Sequence, residues 1–394
     1  MNILEEIQNC PVEWKELGEV VEVLDSLRRP ITKSQRIPGD IPYYGANGIQ
    51  DYVKDWIFDG TFILMGEDGS VIKNDNSPIL HWVIGKIWVN NHAHILGEVP
   101  GCALLKYVYY VLSQTDVSDI VRGTPPKLNQ KNLKSIKIPI PPLEIQEKIV
   151  QILDKFTDYV TELTSELTSR KKQYSFYRDK LLSFEDEVYQ VEWKKLNECL
   201  KKGKGTKITA SQMKLLHKDG APIRIFAGGK TYADVNYGDI PDKDIHTEEA
   251  IVVKSRGIID FEYCTEPFSF KNEFWSYSSD NENINLRYIY HYLVHNKEHF
   301  QNIANNMQMP QISSNDTEKF KIPVPSLEIQ SRIVQVLDNF DMVCNDLNIG
   351  LPKEIELRQK QYEYFREKLL TFVAEGEYTD STVQYSTDKT SLGS

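Results

Sequence analysis

No two of the five cysteines form a C-x-x-C pair: Cys10, Cys102, Cys199, Cys264 and Cys344 are scattered singly over 394 residues. That spacing excludes a thiolate zinc site and a disulfide framework, and it points to a reducing, cytoplasmic setting. Nor does any apolar run approach the ~20 residues of a membrane span. The opening stretch, MNILEEIQNCPVEW, is acidic and does not read as a signal peptide. Positive charge is short as well. Lys and Arg number 46 against 57 Asp and Glu, a formal net charge of −11. That balance argues against non-specific coating of nucleic acid or anionic membrane, while leaving room for local basic patches. Catalytic signatures are missing too. Gly228-Gly229-Lys230 lacks the spacing of a phosphate-binding loop, and there is no G-x-S-x-G elbow and no Asn/Asp-Pro-Pro-aromatic methyltransferase tetrad.

What is present is apolar material and repetition. Hydrophobic residues make up 40% and aromatics 11%, enough for real cores in a chain long enough for two or three domains. Ile138-Pro-Ile-Pro-Pro-Leu-Glu-Ile-Gln146 returns as Ile322-Pro-Val-Pro-Ser-Leu-Glu-Ile-Gln330, an offset of 184. Arg170-Lys-Lys-Gln-Tyr174 returns as Arg358-Gln-Lys-Gln-Tyr362, an offset of 188. Val12-Glu-Trp-Lys-Glu-Leu17 returns as Val191-Glu-Trp-Lys-Lys-Leu196. Between these anchors the halves share little beyond echoes such as Lys106-Tyr107 and Arg287-Tyr288. The chain therefore reads as one unit used twice. Its parts are a globular domain at 1–142, a helix at 143–187, a second domain at 188–326 and a second helix at 327–375. The Ser/Thr-rich tail 376–394 reads as disordered.

The matched segments carry a helical apolar period. In the first, the seam runs through Ile145, Ile149, Ile152, Phe156, Leu163 and Leu167 to Tyr174; in the second, through Ile329, Ile333, Val336, Phe340 and Leu347 to Tyr362. Alternating threes and fours predict a coiled coil, with the two helices burying their seams against each other. About 40 residues at ~1.5 Å rise make a rod of roughly 60 Å. The change of offset puts four extra residues in the second helix, near Gly350-Leu351-Pro352, where a break is expected. The globular parts, with short β-branched runs, glycine turns and closing helices, read as α+β. Their opening Val-Glu-Trp-Lys reads as an edge strand with the Trp packed inward.

Two motifs suggest chemistry and carry a blander reading. His295-Asn-Lys-Glu-His299, with His291 one turn earlier, matches the inverted zinc-peptidase pattern. The matching helix of the first half has Tyr110, Gln114 and Ser118 instead, so metal chemistry would belong to one half only. Glu13-Trp-Lys15 and Glu192-Trp-Lys194 match part of a nuclease site, but no aspartate precedes Glu13 to complete it. No catalytic or metal residues are assigned. Basic runs remain. Lys201-Lys202-Gly-Lys204-Gly-Thr-Lys207 reads as a flexible loop, with Arg28-Arg29-Pro-Ile-Thr-Lys33 at the corresponding place in the first half. Lysine and arginine on such loops neutralise phosphates, and nearby Asn, Gln or Arg read base edges.

This layout resembles the specificity subunit of type I restriction–modification enzymes over nearly the whole chain. Ile41-Pro-Tyr-Tyr-Gly-Ala-Asn-Gly48, Trp88-Val-Asn-Asn-His-Ala-His94 and Pro126-Lys-Leu-Asn-Gln-Lys-Asn-Leu133 look typical of its target-recognition domains. The resemblance implies a non-catalytic DNA reader with two target-recognition domains and an antiparallel coiled coil in pseudo-two-fold relation. Its partners would be double-stranded DNA, methyltransferase subunits and a restriction/translocase subunit. S-adenosylmethionine, ATP and Mg would bind in those subunits and no cofactor in this one. Candidate DNA contacts, from loop position and residue type, are Arg28, Arg29, Lys33, Tyr44, Asn47, Lys73, Asn91 and Lys127 in the first domain. In the second they are Lys201, Lys202, Lys204, Lys207, Arg224, Lys230 and Arg256. The rival reading is a structural coiled-coil adaptor with protein-binding ends.

Overall fold

The computed structural model describes residues 3–69, 71–184, 191–305 and 309–372. The tail read as disordered lies outside them. The chain divides into two compact units, residues 1–162 with 356–394 and residues 163–355. Each is α+β, built on the same frame around a different sheet.

In the first unit the frame starts with the strand Glu13–Glu16, paired antiparallel with Lys137–Ile140. The latter leads into the helix Leu143–Ser183. In the second unit Glu192–Lys195 pairs antiparallel with Lys321–Val324, which leads into the helix Leu327–Asn345. Prolines tolerate this place because the strand pair has only two members and open edges.

The recurring Gln of the helix start is the buried joint of the frame. Gln146 accepts from the Leu104 amide at 2.9 Å and donates to the Pro141 carbonyl at 2.8 Å. Gln330 accepts from the Asn285 amide at 2.8 Å and donates to the carbonyls of Pro325 and Asn283 at 2.8 and 3.0 Å. The tyrosine of the sequence echo completes it. Tyr107 Oη donates to the Pro139 carbonyl at 2.8 Å, and Tyr288 Oη to the Pro323 carbonyl at 2.9 Å. A glutamine and a tyrosine with every polar atom bonded inside an apolar core specify one docking geometry, since any slip strands a buried polar group.

Between the frame strands the units diverge. The first holds a six-stranded sheet in the order Val21–Val23, Ala93–Glu98, Phe58–Gly66, Leu80–Val89, Pro38–Gly45, Gly48–Val53. All its pairings are antiparallel except that of Pro38–Gly45 with Leu80–Val89. The second holds a four-stranded sheet (Lys201–Lys204, Trp275–Ser278, Ala250–Lys254, Asp260–Cys264) and a three-stranded one (Tyr232–Val235, Ile223–Phe226, Phe268–Phe270).

Several expectations change. The Trp of each opening strand is not packed inward: Trp14 is 48% and Trp193 50% exposed. A two-stranded ribbon has no third layer over its outer face. The run Lys201–Lys204 is a strand, not a flexible loop. Its glycines serve close approach, because a Cβ on Gly203 would stand 2.3 Å from Ser276 Oγ, and one on Gly205 2.2 Å from the Phe270 carbonyl.

The helix seam is shared out. Ile145, Ile149 and Leu153 are buried in the core of the first domain, with Ile152 packed against it; Ile333 and Leu337 belong to that of the second, with Ile329 against it. Further along, the helices pair antiparallel within each unit. In the first, Phe156 stacks on Phe365 at 5.2 Å and Arg358 lies over Tyr159 at 5.1 Å. In the second, Tyr174 and Tyr177 stack on Phe340 at 5.9 and 5.7 Å. Leu163 is buried and Leu167 half-buried. Val336 leaves the seam at 37% exposed, its place taken by the fully buried Leu337 one residue on. Leu347 also leaves it at 71% exposed, because the helix ends at Asn345. The break near Gly350 is present, and a new helix runs Leu351–Leu370. Tyr362 packs against the first domain's core and Leu369 is buried in it, as Leu182 is in the second's.

Candidate nucleic-acid interface

The phrase Trp88–His94 is the hub around which most first-domain candidates gather. His94, with no exposed surface, sets Nδ1 2.6 Å from Asp25 Oδ2 and Nε2 2.8 Å from the Leu128 carbonyl. Arg28 donates to Glu67 at 2.5 Å, to the Ala93 carbonyl at 2.9 Å and to the Asp25 carbonyl at 3.0 Å. Ile95 N–H and Gln130 donate to the Asp25 carboxylate at 3.0 and 3.2 Å. Burial alone would push the Asp25 carboxyl up. The His94 hydrogen bond and charge, the Ile95 amide and Arg28 outweigh it and hold the group below its ordinary value. Asp25, Glu67 and His94 are the one carboxylate–histidine group among the described residues close enough to hold a cation. The guanidinium of Arg28 already neutralises that place.

This changes the standing of Arg28. It is not a free loop cation but a buried brace, and Lys127 lies 3.2 Å from Glu67 in the same network. Asn91 has an exposed side chain, and its carbonyl accepts from Arg28 at 3.4 Å. Arg29 is exposed, its carbonyl held by Trp88 Nε1–H at 2.6 Å. Tyr44 is half-buried against His81, and its carbonyl takes the Asn90 amide at 3.0 Å. Asn47 stands exposed at the tip of the same hairpin, where Gly48 adopts a φ of 103°. Lys33 and Lys73 are exposed. Arg28, Arg29, Tyr44, Asn91 and Lys127 thus gather about one turn, with Asn47 at the tip of the hairpin that Tyr44 anchors.

In the second domain the basic run is largely committed. Lys201 pairs with Asp280, and Lys202 with Glu318 at 2.9 Å. Arg224 grips Asp234 through two hydrogen bonds of 2.8 and 3.1 Å and lies over Tyr232. Lys204, Lys207, Lys230 and Arg256 are exposed and make no ion pair among the described residues, as do Arg29, Lys33 and Lys73 in the first domain. Of the candidate contacts, these seven are the cations free to meet phosphate.

The triple-histidine reading falls apart in space. Asn296 separates the helices Leu286–His295 and Lys297–Ala304, which breaks the spacing. His291 Nε2 donates to Asp338 at 2.7 Å, His295 faces Asp179 at 3.6 Å, and His299 packs on Phe320. The first half shows what His291 does. Tyr110, at the matching place, donates to Asp154 on the helix at 2.5 Å. Both residues tie a domain helix to the long helix. Sequence reasoning assigned no role to this pair, to the buried glutamines, or to Lys86, 3.6 Å from the Trp56 ring centre on the first domain's surface. The repeat itself carried the signal for the first two.

Two frames of one design, each presenting a different sheet and a different set of free cations, define a duplicated recognition module. The type I restriction modification DNA specificity domain matches residues 11–170 and again 190–357, and the chain belongs to that family. A type I restriction enzyme specificity subunit of Escherichia coli is 38% identical, over 94% of this chain and 97% of its own. A putative one from Haemophilus influenzae is 33% identical, over 93% and 97%. The crystal structure of the S subunit from M. genitalium matches with a TM-score of 0.68 at 16% identity, over 93% of this chain and 98% of that one. The chain is accordingly a specificity subunit, a DNA-recognition component without a catalytic role. Among the described residues no helix is long and apolar enough to cross a membrane.

Proposed function

We propose that each domain reads one half of a bipartite, asymmetric DNA target, with the helices setting the gap between the halves. One observation carries the reading: the frames repeat the same strand pair, buried glutamine and tyrosine while the sheets and free cations between them differ. A module kept twice with its exposed reading surface changed suits two different half-sites. Methyltransferase and restriction/translocase subunits, recruited in the cytoplasm, would supply S-adenosylmethionine, ATP and Mg chemistry. Methylome sequencing of the host with and without this gene tests it. A lost methylated motif of two half-sites around a fixed gap is expected; an unchanged methylome would overturn it.

A further inference from the structure

Gln50 is the odd residue in the hairpin of Pro38–Gly45 and Gly48–Val53. Tyr43 pairs with Asp51 and Tyr44 with Ile49, so Gln50 has no residue opposite it. A bulge of this kind re-aims a side chain. Here it leaves two consecutive residues in solvent, Ile49 at 48% exposed and Gln50 beside it. An exposed glutamine is ordinarily free to turn its carboxamide either way. This one is held from within. The backbone amide of His92, which can only donate, bonds Asn90 Oδ1 at 2.8 Å. Asn90 is 4% exposed, and its own amide is tied to the Tyr44 carbonyl at 3.0 Å. With Oδ1 so engaged, Asn90 Nδ2 faces Gln50 and donates to its Oε1 at 3.2 Å. The Gln50 carboxamide lies against Gly45, where a Cβ would stand 2.1 Å from Nε2. The carboxylate next in the chain, Asp51, is already paired with Arg36 at 3.1 Å. What remains is an oriented polar edge. Gln50 Nε2 makes no hydrogen bond among the described residues, and Oε1 keeps a second lone pair.

We propose that Gln50 reads one adenine of the first half-site in the major groove, with Nε2–H donating to N7 and Oε1 accepting from the N6 amino group. This rests on the proposed function and adds to it the residue and the base. A donor and an acceptor side by side are the complement of adenine. Guanine offers two acceptors in that groove, cytosine a lone donor, and thymine an acceptor beside a methyl group. The chain from His92 through Asn90 sets the amide before DNA arrives, so little ordering is left to binding. The second unit carries a different sheet between its frame strands, so the contact belongs to one half of the target only.

The test uses the full-length chain assembled with the methyltransferase subunit of its system. Duplexes of the methylated motif carry 7-deazaadenine, which lacks the N7 acceptor, at each adenine in turn. The wild type should lose about tenfold in affinity at one adenine of the half-site read by the first domain. Gln50→Ala should bind that duplex and the natural one equally. Gly45→Ala, whose added methyl displaces the carboxamide, should do the same with an unchanged thermal midpoint, which separates the aim of the side chain from folding. The methylome of a host carrying Gln50→Ala should show the motif degenerate at that one position and intact in the other half. A wild type indifferent to every 7-deazaadenine, or a Gln50→Ala chain that keeps the discrimination, would overturn the inference and leave the proposed function standing. A wild type whose methylated motif has no second half would remove both.

Discussion

At the scale of single residues, polar atoms inside the core determine more than the apolar ones around them. Gln146→Ala or Gln330→Ala strands a partly buried backbone amide and a buried carbonyl, and should cost about 2–4 kcal/mol, read as a lowered thermal midpoint. His291 adds a pH signature. Burial pushes its imidazole below the ordinary value and Arg287 adds to that, against the pull of Asp338 and Asp341. The unfolded chain then binds the proton more readily, so stability rises with pH across the interval from the folded value to about 6.5 and is lost as pH falls through it. His291→Tyr, which copies Tyr110, should flatten stability against pH in that window; an unchanged acid limb would assign it to other groups. The free cations make a sharper set than the basic run. Lys204→Ala with Lys207→Ala should reduce the salt slope of duplex binding by about one each, while Lys201→Ala should barely move it. Equal effects would show that the Asp280 pair opens on DNA.

At the scale of elements, the break in the second helix is a built structure. Asp346 caps it, accepting the amides of Asn348 at 2.6 Å and Ile349 at 3.1 Å. Gly350 fits because a Cβ there would stand 2.5 Å from the Met342 carbonyl. Pro352 follows in the first turn of the new helix, where its missing N–H costs nothing. Gly350→Ala should therefore destabilise by about 1–3 kcal/mol, measured by denaturant midpoint. The four extra residues sit in this break rather than in helical turns. Deleting Asp346–Ile349 should leave the gap in the methylated motif unchanged, and a shifted gap would show that the break is part of the ruler. The break was legible from Gly350 and Pro352 alone, since both act on the local backbone. The seam was less so. Val336 and Leu337 are both apolar, and the period could not say which faced inward until the domain core chose Leu337.

At the scale of the whole chain, the net charge of −11 is weighted toward the helices and tail, and the two domains are less acidic. Such a chain gains little from long-range attraction to DNA. Duplex affinity at fixed salt should rise steeply when the methyltransferase subunit is added, and equal affinity with and without it would show that the free cations of the domains suffice. Exchanging residues 18–136 for the equivalent stretch of another specificity subunit should change one half of the methylated motif and leave the other intact. The frame strands and Gln146 stay outside the exchange, and the incoming stretch keeps the docking geometry if it brings a backbone amide and a tyrosine to the places of Leu104 and Tyr107.

The duplication, the α+β character, the two long helices and the family were determined by sequence alone, because repeats and helical period are properties of chain order. Which side chains work and which merely hold was decided only in three dimensions. Arg28 turned inward because Asp25 and Glu67 are brought beside it, and Lys127 reaches the same Glu67 from the surface. His291 became a brace because Asp338, 47 residues away, faces it. Trp14 and Trp193 stayed in water because their strands found a single partner each. A charge or a ring is free or committed only once the chain has set its neighbour, and that choice is made by tertiary contact, not by spacing.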